Sequence, residues 1–171
     1  MIADIQTNIK ELEEYIGFPI KRKEIALDSN KPHDETFSYG LCQRFYNKDK
    51  ELKIAIKNLT NIIIKLENQS KKNKNCKRET ALLFSLLGDM YYLASDFSKS
   101  INCFMKALNF NKEDITNWVG LMFSLRAYGE IDIFENLIFN FEDIYYTWKK
   151  DTGSEMNQEK IYELMRKIKI S

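Results

Sequence analysis

Residues 81–114 read ALLFSLLGDMYYLASDFSKSINCFMKALNFNKED, and this stretch decides the fold that we predict for the chain. Its apolar residues recur three and four positions apart on both sides of Ser95, which is typical of two amphipathic helices joined by a short turn. Gly88, Ser100 and Ala107 have little or no side chain, so the two helices could approach closely while large residues fill the gaps. The segment therefore predicts a helix–turn–helix unit.

The order of large and small residues in this unit resembles a tetratricopeptide repeat. That family places an aromatic residue, Leu-Gly, Tyr, a small residue, a second aromatic residue and Ala at fixed positions. The corresponding residues here are Phe84, Leu87, Gly88, Tyr91, Ser100, Phe104 and Ala107. Agreement at all of these positions in one window makes the resemblance fairly specific.

Two diverged copies of the pattern adjoin this unit. Residues 115–148 have Trp118, Leu121 and Gly129 at expected positions, but Met122 and Phe134 replace small residues. We therefore expect this helix pair to be splayed or repacked. Upstream, residues 36–69 form a third copy, in which the matching residues are Tyr39, Tyr46, Ala55, Leu59 and Ile62.

The predicted fold is all-α, a short right-handed α-solenoid of about three tetratricopeptide-like helix pairs with a capping helix at each end. The simpler alternative is a plain helical bundle. The expected organisation is an N-terminal helix and loop (1–35), a first repeat (36–69), a basic insert (70–80), two further repeats (81–114 and 115–148) and a C-terminal capping helix (149–171). The insert is either a solvated loop or a polar extension of the neighbouring helices.

Composition narrows the class of protein. The 171 residues are 44% hydrophobic and 13% aromatic, which is enough to form a core. The 26 basic and 25 acidic residues nearly balance, so the composition does not favour a polyanion such as nucleic acid as the partner.

The longest stretch without a charged residue, Ile115–Leu125, is shorter than the ~20 residues that cross a bilayer, so we expect no membrane insertion. The charged N-terminus and three scattered cysteines favour a reducing, cytoplasmic compartment, and a nuclear location stays open.

The sequence contains no catalytic motif. The chain has one histidine, His33, its glycines are isolated, and its cysteines form no closely spaced pair. A zinc site with several histidines, a phosphate-binding loop and a redox CxxC motif are therefore not indicated. We expect no enzymatic activity, no cofactor and no metal. Cys42 and Cys103 fall on apolar repeat positions, so we expect both thiols to be buried.

The family resemblance implies a protein–protein interaction module that holds a helix or extended peptide in a groove lined by the first helix of each repeat. The groove residues that it implies are Phe37, Arg44, Leu82, Asp89, Tyr92, Val119, Phe123 and Arg126. Tyr92 and Phe123 would anchor an apolar segment of a partner, within a larger complex, and the charged residues would set its polarity and register. Alternatively, the N-terminal helix or the insert fills the groove. The run 131–148 is predicted to form one helix that is apolar on more than one face, which suggests a second interface.

Other functions stay open at this point. An RNA- or ribonucleoprotein-associated subunit would use the basic insert, whose basic residues include Lys71, Lys72, Lys74, Lys77 and Arg78. Nucleic acid is not favoured, because the insert has no aromatic residues for base stacking. The layout of helix, repeats and helix is also similar to that of small tetratricopeptide chaperones of secretion or membrane-insertion systems.

Overall fold

The computed structural model describes residues 2–17, 36–70 and 74–169, and the regular elements of that part of the chain are all α-helices. The all-α prediction is therefore confirmed for the described residues. In chain order the helices are α1 (Ile2–Ile16), α2 (Thr36–Phe45), α3 (Asp49–Ser70), α4 (Lys74–Leu93), α5 (Phe97–Phe110), α6 (Ile115–Tyr128), α7 (Ile131–Phe139), α8 (Phe141–Lys150) and α9 (Gln158–Lys169).

Local capping explains where the central helices begin and end. The Asp96 carboxylate accepts a hydrogen bond from the Lys99 N–H at 3.3 Å at the start of α5. The Asp114 carboxylate accepts one from the Thr116 N–H at 2.9 Å at the start of α6. Gly129 ends α6 with φ of 102°, a left-handed conformation that glycine adopts without strain. The turn predicted near Ser95 is thus confirmed, and further joints lie near residues 111 and 129.

The prediction of one continuous helix through residues 131–148 is wrong, because the chain bends at Asn140. The Asn140 backbone leaves the helical region, with φ of −117° and ψ of 23°. Its side-chain amide and its own N–H both donate to the Asn136 carbonyl, at 3.2 and 3.0 Å. Such local side-chain bonding competes with the regular helix. The run therefore forms two short helices, each of which buries its own stripe of residues.

The basic insert is partly helical. Residues 74–80 form the first two turns of α4, and residues 71–73 lie outside the described part. Of the two predicted forms, a polar extension of a helix therefore describes residues 74–80. The exposed Lys77 and Arg78 lie on these turns.

The helices pack in chain order. From α3 onwards each helix contacts its successor, α4 also contacts α6, and α1 and α2 contact α3. The buried residues form two clusters, one built mainly from α1–α4 and the other from α6–α9. Helix α5 contributes to both, with Cys103 and Ala107 in the first cluster and Phe104, Met105 and Leu108 in the second. It is therefore the element that joins the two halves of the core.

The Phe104 ring lies between two glycines. A Cβ atom at Gly88 of α4 would be 2.8 Å from this ring, and one at Gly120 of α6 would be only 2.3 Å away. Side chains larger than hydrogen do not fit at these distances. This arrangement confirms the predicted close approach of α4 and α5 at Gly88. Gly120 allows the same close approach between α5 and α6.

Buried hydroxyl groups connect the same three helices. The Ser100 hydroxyl donates to the Gly88 carbonyl at 2.7 Å. The Ser124 oxygen lies 2.7 Å from the Ser100 oxygen and 2.8 Å from the Gly120 carbonyl, and its single proton is donated to one of these two acceptors. Both serines are fully buried, so these bonds satisfy polar groups that water cannot reach. Helices α4, α5 and α6 are thereby held in a defined register.

Polar contacts also hold the C-terminal helix on the core. The Lys160 ammonium group, with a side chain only 6% exposed, donates to the Asp151 carboxylate at 2.6 Å. The Asn109 side chain on α5 bonds to both the N–H and the carbonyl of Met156. Ile161 and Leu164 of α9 are buried in the second cluster. The segment between α8 and α9 is thus tied to α5 and α9.

We expect the Lys160→Met variant to show a weaker loss of stability in acid than the wild type. Hydrogen bonds from Lys160 and from the backbone N–H groups of Ser154 and Gly153 hold the pKa of Asp151 well below its ordinary 3.8. The ionised Asp151 therefore stabilises the fold in full above pH 3.8, and this contribution is lost as the pH falls below that value. The measurement is urea unfolding at intervals down to pH 2. Lys150→Met, which changes an exposed lysine, is the control; equal acid dependence in all three proteins would contradict the assignment.

Candidate functional site

Helix α6 presents an apolar stripe to solvent. Val119 and Phe123 lie one turn apart, and Phe123 is 50% exposed. The opposite faces of α6 are already in the core, where Trp118 and Leu121 are fully buried. The exposed pair is therefore not needed to hold the helix in place. With Asp89 and Tyr92 of α4 and Arg126 of α6, it defines what we call the α4–α6 surface.

Topology places the two aromatic residues of this surface at the same level. Short joints connect α4 to α5 and α5 to α6, so consecutive helices run antiparallel and α4 and α6 run in the same direction. The Phe104 ring aligns Gly88 of α4 with Gly120 of α6. Tyr92 and Phe123 each lie about one turn beyond their glycine, at one end of the surface.

Contacts fix the orientation of the residues from α4. The Tyr92 ring packs edge-on against Phe97, with centroids 5.3 Å apart, yet the residue is 38% exposed. Asp89 is half-buried, one turn before Tyr92. Partial desolvation and the Asp89 carboxylate raise the pKa of the Cys42 thiol on α2. The Asp89 charge is therefore close enough to α2 to affect Cys42.

Arg126 connects the surface to α7. Its guanidinium group lies 5.5 Å from the centroid of the Phe134 ring, and the residue is exposed. A cation over an aromatic face contributes about 0.5–1 kcal/mol at exposed sites. Arg126 is therefore positioned by its neighbour while its charge stays accessible at the edge of the surface.

Two of the implied groove residues lie elsewhere. Leu82 is buried in the first core cluster and does not line an exposed groove. The Arg44 Nε atom donates to the Tyr15 carbonyl at 3.0 Å, and its guanidinium group lies 3.6 Å from the Glu51 carboxylate. Arg44 also stacks over the Tyr15 ring at 5.0 Å. It therefore joins the end of α1 to α3 and is occupied within the chain.

The remaining predicted residues are described only in part. The side chain of Phe37 lies outside the described residues, as do Lys71, Lys72 and the side chain of Lys74. Lys77 and Arg78 are exposed on α4. Among the predicted groove residues, Tyr92, Val119, Phe123 and Arg126 are therefore exposed on the contacting helices α4 and α6, whereas Leu82 is buried and Arg44 contacts α1 and α3.

The two described cysteines differ in environment. Cys103 is buried as predicted, and burial raises the pKa of its thiol to about 12. Cys42 is exposed, so the prediction of a buried thiol is wrong there. Its position on α2 matches an apolar repeat position, but the side chain reaches solvent. Since the pKa of both thiols is raised, neither favours the reactive thiolate.

A cleft of about 420 Å³ between α1 and α3 was not predicted from the sequence. Its lining is Asn8, Glu11, Leu12, Tyr15, Asn58, Asn61, Ile62 and Lys65. Asparagine side chains from the polar faces of both helices line the cleft. Because asparagine is abundant throughout the chain, these residues could not have identified the cleft from the sequence. No group of metal-binding side chains occurs in the described part of the chain.

No protein-family model matches this chain, and neither a curated protein nor a solved structure matches it. Among the helices at 2–16, 36–70 and 74–169, none combines the length and apolar character that a membrane-spanning segment requires.

Proposed function

We propose that this protein is a non-catalytic adaptor or assembly subunit of the cytoplasm. Its α4–α6 surface would bind an apolar helix or extended peptide of a partner protein. The observation that supports this role most directly is the half-exposed Phe123 beside Val119, on a helix whose other faces are in the core. Exposed aromatic residues on a rigid element are typical binding anchors.

The rigidity of this surface supports the same role. Helices α4 and α6 are locked by the Phe104 ring and by the Ser100 and Ser124 hydroxyl groups. A partner would therefore meet a preformed surface and would not have to order it, which lowers the cost of binding. The resemblance of residues 81–114 to a tetratricopeptide repeat points to the same use.

Replacing Tyr92 and Phe123 by alanine tests this role. Each change should weaken partner binding by about 1–3 kcal/mol, because each removes an aromatic anchor from the surface. The partner would first be captured from the native cell with the tagged protein and identified by mass spectrometry. Its affinity for each variant would then be measured by calorimetry.

Tyr162→Ala is the matched control, since Tyr162 is a similarly exposed tyrosine on α9. Circular dichroism would verify that every variant folds. Unchanged affinity in both Tyr92→Ala and Phe123→Ala would refute the α4–α6 surface as the binding site. Affinity that falls steeply with salt and needs Lys77 would instead favour the nucleic-acid alternative.

A further inference from the structure

Helices α7 and α8 expose large apolar side chains that the core does not use. Ile131 and Ile138 lie two turns apart on α7, and each is about half exposed. Phe139 is 82% exposed, at the bend between the helices, and Tyr146 of α8 is half exposed. Single exposed apolar residues are normal, but Ile131, Ile138 and Phe139 are seven and eight residues apart on α7 and so lie toward one side of that helix. A concentration of exposed apolar residues of this kind is typical of an interaction site.

The same surface is acidic. The carboxylates of α7 and of the first turn of α8, Asp132, Glu135, Glu142 and Asp143, are all exposed. No lysine, arginine or histidine occurs between Ala127 and Trp148, although the whole chain has a net charge of +1. Within the described residues, none of these carboxylates takes part in an ion pair. Four carboxylates thus lie on the two helices that carry the exposed apolar residues, and the one cation recorded against α7 in the described part of the chain is the Arg126 guanidinium over Phe134.

Apolar and acidic residues alternate along this surface at helical spacing. Glu135 lies one turn from Ile131 on one side and from Ile138 and Phe139 on the other. Glu142 and Asp143 lie three to four residues before Tyr146. A partner helix that met the apolar residues would place its flanking side chains next to carboxylates.

We propose that this surface, the α7–α8 face, docks a basic amphipathic helix of another protein. Leucine-like residues of that helix would pack on Ile131, Ile138 and Phe139, as an amphipathic helix does in an apolar groove. Lysine or arginine residues beside them would pair with Glu135 and Glu142. The charge complementarity speeds association and sets the register, while the apolar contacts supply most of the affinity.

The negative charge of the α7–α8 face disfavours a second copy of this chain, an anionic lipid surface or a nucleic acid as its partner. A second copy bound through the same face would oppose like charges, which is unfavourable. Anionic lipids and nucleic acids would be repelled by the four carboxylates in the same way. This inference concerns α7 and α8 and does not depend on the α4–α6 surface.

Two synthetic helical peptides test the proposal. The first presents a leucine face flanked by lysines, and the second has the same pattern with glutamate in place of lysine. Fluorescence anisotropy would measure the binding of each labelled peptide to the full chain, at low and at physiological ionic strength. We expect the lysine peptide to bind and the glutamate peptide not to bind.

Surface variants locate the binding. The double variant Ile138→Ser, Phe139→Ser should weaken binding of the lysine peptide at least about tenfold, since it removes two anchors. Glu135→Lys, Glu142→Lys should also weaken it and flatten its dependence on salt. Ile64→Ser, on the exposed face of α3, is the matched control and should leave the affinity unchanged. All changed side chains are exposed, and circular dichroism would verify folding.

Several results would overturn the inference. These are the absence of binding by the lysine peptide, equal binding of both peptides, or full affinity in the Ile138→Ser, Phe139→Ser variant. Loss of binding only in Tyr92→Ala, Phe123→Ala would place the peptide on the α4–α6 surface. Self-association that Phe139→Ser abolishes would assign the face to a second copy of the chain. If the Tyr92→Ala and Phe123→Ala variants refute binding at the α4–α6 surface, the proposal for the α7–α8 face still stands, because it rests on different residues.

Discussion

Replacing Phe104 by alanine is expected to lower the free energy of unfolding by about 3–5 kcal/mol. The ring is only 1% exposed and fills the space between Gly88 and Gly120. Neither glycine has a side chain that could move into the cavity. The hydrogen bonds of Ser100 and Ser124 hold α4, α5 and α6 in place, so the helices cannot collapse easily around it. When the surrounding residues cannot relax into the cavity, the loss of unfolding free energy lies at the upper end of the range for large-to-small substitutions.

The measurement is urea unfolding followed by circular dichroism. Phe139→Ala is the matched control, because it deletes the same atoms from a residue that is almost fully exposed. It should change the free energy of unfolding by no more than about 0.5 kcal/mol. A similar loss in the two variants would mean that Phe104 contributes no more to the stability of the core than an exposed phenylalanine does.

Replacing Gly120 by alanine is expected to destabilise the fold by about 1 kcal/mol. The added methyl group would be 2.3 Å from the Phe104 ring, far inside ordinary contact distance. Overpacking of a tight core costs about 1–3 kcal/mol. Alanine gains about 0.5–1 kcal/mol over glycine in a helix interior, which offsets only part of this cost. The sign of the net effect is therefore opposite to the one that helix propensity alone predicts.

Gly153→Ala is the control, since a Cβ atom there meets nothing within 4 Å. It should be nearly neutral in the same unfolding experiment. A second test uses Phe104→Leu, whose smaller side chain gives the methyl group room. Because the two positions are in contact, the double variant Gly120→Ala, Phe104→Leu should lose less stability than the sum of the single variants. Strict additivity would contradict the clash.

The repeat pattern predicts that Val119 and Phe123 face a groove, and the structure shows that both are exposed on α6. The same pattern placed Leu82 and Arg44 on the groove, but Leu82 is in the core and Arg44 contacts α1 and α3. A repeat pattern gives the face of a helix on which a residue lies. It does not give the other elements that pack against that face.

The α7–α8 face shows the same limit. The run 131–148 is apolar on more than one side, and that property suggested an interface. Which of its residues reach solvent depends on the bend at Asn140 and on the packing of α6 and α9 around the run. The near-complete exposure of Phe139 follows from this packing.

The sequence by itself determined the all-α class, the positions of most helices and the small residues that let α4 and α5 meet. These properties follow from hydrophobic spacing, from caps such as Asp96 and Asp114 and from Gly129, all of which act within a few residues of the chain. Only the tertiary structure decided that Gly120 shares the Phe104 ring with Gly88, that Arg44 is occupied and that Phe139 is exposed. The physical reason is that burial depends on contacts between residues far apart in the chain, and local spacing does not encode those contacts.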